Sequence, residues 1–279
     1  MNMRPSSKRP SPASLPLTHT LTLSYVFSLV AALTMAVASA AGLLYSTRIY
    51  PTDELLQSFV ANDVVNLVIG LPILLGSMWL TRREKLVGLL FWPGALMYVL
   101  YNYIAYVFGT PPSWASLLYL TLVVSSAYTL IALVASIDGV AVQQHLAGAV
   151  REKLSGGVLV GLAAVILLRV VGVIGSATIG QTAIPAAEWS VLISDFLLTP
   201  AWVIGGVLLW QRKALGYVSG AGLLFQTSML FIGLIGFLLL QPLLTRAPFA
   251  LADVVVVSIM GLICFIPFGL FVRGVLSRG

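Results

Sequence analysis

Eight apolar runs of about 20 residues or more, separated by short polar turns, dominate this sequence. Each is long enough to cross a hydrocarbon core about 30 Å thick as a helix rising 1.5 Å per residue. Backbone polar groups find no water in that core, so only helices and closed barrels can span it. Continuous apolar runs, rather than ten-residue alternating ones, select helices. The composition agrees. Hydrophobic residues make up 59% of the chain and charged residues 9%, the mean hydropathy is +1.02, and a soluble domain carries about a quarter charged residues. We therefore expect an all-α integral membrane protein of eight spans, near 20–45, 59–80, 87–108, 115–136, 156–177, 189–210, 216–240 and 251–273.

The basic residues suggest an orientation. Arg4, Lys8 and Arg9 precede the first run; Arg82, Arg83 and Lys85 follow the second; Arg151 and Lys153 the fourth; Arg212 and Lys213 the sixth; Arg273 and Arg278 the eighth. In an eight-span chain these fall on one side, which the positive-inside rule makes cytoplasmic. Arg48 and Arg246 occupy loops on the other side, and Arg169 lies inside a run. The expectation is N-in, C-in topology in the cell membrane of a prokaryote. The net charge of +6 is spread over inter-helix loops, which argues against nucleic acid and leaves membrane lipids as partners. A single cysteine, Cys264, removes disulfides and thiolate metal sites within one chain.

Residues 1–18, rich in Ser, Pro and basic side chains, read as a disordered cytoplasmic tail. Residues 137–155 form a cytoplasmic linker. Within it Val142, Leu146, Val150 and Leu154 recur at helical spacing beside Gln143, Gln144, Arg151 and Lys153, which fits either a short helix on the membrane surface or a plain linker. The basic start, the first apolar run and Ala38-Ser39-Ala40 also follow the order of a secretory signal. Against cleavage, the run continues through Gly42-Leu43-Leu44-Tyr45, too long for a signal core.

An internal repeat is visible. Asp63 to Trp79, followed by Thr81-Arg82-Arg83, parallels Asp195 to Trp210, followed by Gln211-Arg212-Lys213. Upstream, Gly42-Leu43-Leu44-Tyr45-Ser46-Thr47-Arg48-Ile49 parallels Gly172-Val173-Ile174-Gly175-Ser176-Ala177-Thr178-Ile179, with offsets of 130 to 132. Two tandem four-helix halves, 19–136 and 156–279, are expected in one orientation because each holds an even number of spans. Asp63 with its basic turn, Tyr101-Asn102-Tyr103, and Asp195 with Trp210-Gln211-Arg212-Lys213 resemble a group of uncharacterised prokaryotic membrane proteins over most of the chain. That resemblance carries no activity and transfers no functional residue.

Ionisable residues inside spans are costly and therefore informative. Arg169 on the fifth span and Asp195 on the sixth fall at matching depths in the outer half. Opposite charges at one depth on consecutive helices should pair. Polar neighbours occur at the same level: Asn62, Asp63 and Asn66 on the second span, and Tyr98, Asn102 and Tyr106 on the third at i, i+4 and i+8, flanked by Tyr101 and Tyr103. On the sixth, Asp195, Thr199 and Trp202 share a face, and Pro200 removes a backbone donor. Asp253 enters near the outer end of the eighth. The candidate ligand-binding set is Asp63, Asn66, Tyr98, Asn102, Arg169, Asp195, Thr199, Trp202 and Asp253, lining a polar, aromatic cavity in the outer half.

Plainer readings stand beside this one. Tyr103, Tyr106 and Trp189 suit an interfacial aromatic belt, and Asp63 and Asp253 suit helix-start carboxylates facing the helix dipole. Arg169 with Asp195 suits a structural lock. Thr121, Ser125, Tyr128 and Thr129, and Gln226, Thr227 and Ser228, suit interhelical hydrogen bonds. Catalytic signals are thin. The two histidines, His19 and His145, fall at the membrane edge and in a loop, and nucleotide-binding loops are absent. The sequence implies no catalytic residue, metal or cofactor. Its leading expectation is a permease or ligand-binding membrane protein with a small-molecule or lipid site open to the outer face. The alternatives are an accessory or scaffold subunit with membrane-protein partners, and a lipid-modifying enzyme using Asp63 or Asp195 as a base.

Overall fold

A computed structural model describes residues 15–277. They form α1 (Thr22–Leu44), a short α2 (Ser46–Ile49), and α3 (Asp53–Val65) continuing through a π segment (Asn66–Gly70) into α4 (Leu71–Arg82). Then follow α5 (Leu86–Gly109), α6 (Trp114–Ala135), α7 (Gly139–Leu146), α8 (Glu152–Gly180), α9 (Ala186–Trp210), α10 (Ala214–Leu244) and α11 (Leu251–Leu276). With α3 to α4 taken as one span, eight helices are long and apolar enough to cross a membrane. The chain is an all-helical, multi-pass membrane protein. Below, the basic end is the end carrying the turns at 83–85 and 212–213, and the far end is its opposite.

Local chemistry sets the boundaries. The second span starts at Asp53, earlier than hydropathy alone indicated, because Thr52 caps it by accepting from the Leu55 amide and Asp53 and Glu54 occupy its first turn. Ser113 and Ser116 form a reciprocal capping box on α6. The π segment has a sequence cause. Pro72 has no N–H to give Val68, and its ring crowds that carbonyl; the ladder shifts register, and the Leu71 amide bonds the Asn66 carbonyl.

Helix α5 is the axle of the bundle, buried on nearly every face and packed against α4, α6, α9 and α10. Helix α10 packs in turn on α3, α5, α9 and α11. Where α5 and α10 cross, Gly94 and Gly222 meet: a Cβ on Gly94 would fall 2.1 Å from the Gly222 carbonyl oxygen. Glycines permit this backbone contact. Helix α1 packs on α6 and on the second span, and α8 on α9, while α8 and α11 leave a groove between them.

The linker helix α7 is capped by Asp138, whose carboxylate accepts from the Val140 and Ala141 amides. It packs on α10 with Val142 and Leu146 fully buried, so this apolar stripe faces protein. Of the expected tail, residues 1–14 lie outside the described residues, whereas 15–18 lie along 136–138, with the Asp138 amide on the Pro16 carbonyl and the Thr18 amide on that of Ser136. The two basic turns share their closing bonds. The Lys85 amide bonds the Leu80 carbonyl and the Gly88 amide that of Lys85; Lys213 bonds Leu208 and Gly216 bonds Lys213, each 128 positions on. Glu84 and Arg212, at equivalent places, share a φ of 57°.

Candidate functional site

Asp63 is fully buried, ten residues into a helix that begins at Asp53, so it is not a helix-start carboxylate. Tyr50, at the end of α2, donates to its Oδ2 at 2.7 Å, and Tyr106 of α5 donates to its Oδ1 at 2.9 Å. Behind Tyr106, Asn62 and Asn66 donate to the Tyr106 hydroxyl at 3.3 and 3.4 Å. Asn62 also reaches Asn102 Oδ1 at 3.4 Å, and Asn102 donates to the Tyr98 carbonyl. Phe59 stacks on Tyr50, and Tyr106 packs against Phe59, Tyr103 and Tyr119. On the α1 side only a glycine fits, because a Cβ at Gly42 would collide with Asp63 Oδ2. The result is an aromatic cage around one carboxylate. Among the described residues no cation lies within ion-pair distance of it.

Two oxygens beside the cage are buried without a hydrogen-bond partner, Asn66 Oδ1 and the Tyr119 hydroxyl. A buried polar atom left unpaired costs about 1–3 kcal/mol. Asn66 also opens the π segment, and such segments concentrate at functional sites.

Asp195 is held by different chemistry. Arg169 Nη1 lies 2.9 Å from its Oδ2, the pairing that depth and charge suggested, and Tyr101 of α5 donates to its Oδ1 at 2.7 Å. The aspartate side chain is 5% exposed but the arginine side chain 44%, so the pair sits at the lipid-facing edge of α8 and α9. Arg169 also reaches Glu188 at 3.8 Å, towards the far end, as a long cationic side chain does when it extends to the interface.

The structure thus divides the expected site. Asp63, Asn66, Asn102 and the Tyr98 backbone form one network, and Arg169 and Asp195 another, on different faces of α5. Thr199 bonds back to the Asp195 carbonyl within α9, and Trp202 turns to α10, where its Nε1 donates to Gln226 Oε1 at 2.7 Å. Asp253 stands apart, exposed in the first turn of α11. Tyr103 and Tyr106 are wholly buried and so form no interfacial belt, whereas Trp189 is exposed. The hydroxyls of Thr121 and Thr129 bond carbonyls of their own helix and link no neighbouring helix. Two cavities are prominent, an apolar groove between α8 and α11 and a polar pocket at the far end lined by Asp53, Gln57 and Arg246. Neither is lined by Asp63 or Asp195.

Sequence reasoning missed Tyr50, a connecting residue with no periodic signal, and saw Tyr101 only as flanking a stripe. Among the described residues no group of three His, Cys, Asp or Glu side chains assembles to hold a metal ion. Comparison with protein-family models, curated proteins and solved structures finds no match to this chain.

Proposed function

We propose that the protein is a permease or ligand-binding membrane protein of the prokaryotic cell membrane, with the Asp63 cage as its working centre and this conformation as its closed state. The observation that carries the reading is an intramembrane carboxylate enclosed by the fold without a counter-cation among the described residues. An ionisable group in hydrocarbon is expensive, and packing alone does not call for one. The orphan oxygens of Asn66 and Tyr119 supply further polar contacts, and the π segment supplies a place for the second span to flex. A small polar molecule or a lipid headgroup entering from the far end would meet these groups. The same centre in a purely structural protein is the second reading, an accessory or scaffold subunit. It is favoured by the absence of Asp63 from the lining of either prominent cavity.

Labelling separates the two. In a Cys264→Ser background, Asn66→Cys in proteoliposomes should react slowly with a small methanethiosulfonate added at the far end, since a working site must open to water. No reaction over hours, in a variant that melts like the parent, sinks the permease reading.

Two tandem halves and N-in, C-in topology belong to this proposal. The halves are supported by the matched turns, by the Gly94–Gly222 contact between corresponding helices, and by paired cross-contacts, α5 on α9 and α10 on α3. The 128-residue register of the turns aligns Asp63 with Val191, about one helical turn from Asp195. On that register the two aspartates are neighbours in depth and not equivalent positions. Single cysteines at Glu84 and Lys213 should stay unlabelled by an impermeant thiol reagent in intact cells; reaction at either overturns the topology.

A further inference from the structure

Helices α1 and α6 pack together, but α8 and α11 leave an apolar groove of about 390 Å³. Gly157, Gly161 and Val165 of α8 and Met260, Ile263 and Cys264 of α11 line it, and Lys153 lies at its basic end. A Cβ on Gly161 would meet nothing within 4 Å. The missing side chain at Gly161 therefore opens the slot and does not serve a close helix contact, whereas Gly157 lies against Trp210 of α9. From Lys153 to Val165 the helix rises about 18 Å, and the walls between are almost wholly apolar. An apolar slot running along the helix axis suits an extended hydrocarbon chain in carbon–carbon contact with its walls.

The charge at the mouth completes the pattern. Lys153 is exposed, and among the described residues it has no ion-pair partner. The adjacent Glu152 is engaged elsewhere, accepting from Tyr217 at 2.8 Å and from the Gly148 amide, with Arg212 at 3.8 Å. Arg151 and Arg273, both exposed, add positive charge at the same end. We propose that this groove binds one acyl chain of an anionic phospholipid from the leaflet at the basic end, with the Lys153 ammonium on the phosphate. The site stands apart from the Asp63 cage, and its test does not depend on what that cage does.

The experiment uses the full chain in phosphatidylcholine vesicles doped with a phosphatidylglycerol whose tail carries a diazirine, with crosslinks mapped by mass spectrometry after illumination. Crosslinks should concentrate at 157–165 and 260–264. They should exceed those from a matching diazirine phosphatidylcholine about fivefold, the preference one lysine supplies at a surface. Lys153→Ala should remove that preference while the tail crosslinks remain. Gly161→Leu, which fills open space, should abolish the crosslinks without lowering the melting temperature. Crosslinks spread evenly over the outward faces of α1, α6 and α8, equal yields from the two headgroups, or insensitivity to Gly161→Leu would each overturn the proposal. So would a Cys264–Cys264 disulfide between two copies, which puts a second chain in the groove.

Discussion

Asp63 on the second span and Asp195 on the sixth each lie nine or ten residues from the far-end start of their helix, and both are almost wholly buried. Asp195 meets a guanidinium and a phenol; Asp63 meets two phenols and, among the described residues, no cation. The surroundings account for the difference. Helix α8 is largely lipid-facing, and an ion pair to α9, with Tyr101 behind it, staples this outlying helix to the axle. The second span is already enclosed by α1, α5 and α10 and needs no such staple. The two carboxylates are therefore alike in burial, and what differs between them is the counter-charge.

Substitutions at three places probe that contrast. The largest effect is expected for Arg169→Ala, which strands Asp195 with only Tyr101. Breaking a buried pair costs about 3–5 kcal/mol, and partial exposure of the arginine side chain puts this one at or below the low end of that range. Adding Asp195→Asn should recover much of the loss in detergent melting curves; simple additivity would show that the two residues do not interact. Next comes the cage. A buried polar group left without its partner costs about 1–3 kcal/mol. Tyr106→Phe should cost about 2 kcal/mol and exceed Tyr50→Phe, because it also strands the Asn66 donor and removes one of the two acceptors of Asn62. If neither loss is measurable by the same melting assay, Asp63 is not held by these phenols and the cage has no energetic meaning. The smallest effect belongs to Arg212→Ala at the basic end, under about 1 kcal/mol, because its contact with Glu152 is long and the guanidinium exposed. A larger loss there would make the clasp between α8, α10 and the 212–213 turn more important than either buried aspartate.

The eight spans were readable because the transfer cost of each apolar run is a local property of the chain. Span ends were less so: hydropathy placed the second start near 59, while the cap at Thr52 and the acidic first turn carry it to Asp53. This moved Asp63 from a helix start to a buried position. The Arg169–Asp195 contact was legible for an energetic reason, since two costly opposite charges at one depth have few ways to be satisfied. The rest of the site depended on how each helix is rotated about its axis. Tyr98, Asn102 and Tyr106 lie on one stripe of α5, but the buried axle uses its other faces too, so Tyr101 engages Asp195.

By itself, then, the sequence determined the class, the spans, the end at which the basic turns gather and the need for Arg169 and Asp195 to meet. Each follows from free energies that belong to single residues or to neighbours along the chain. Only the tertiary structure decided that Tyr50 folds in from a connection to hold Asp63, that Trp202 turns to Gln226, and that α8 and α11 part to leave a slot. Those outcomes rest on helix rotation and on contacts between distant segments. Many arrangements of one hydropathy pattern bury equal apolar area, and steric details such as Gly42 against Asp63 and Gly94 against Gly222 select among them.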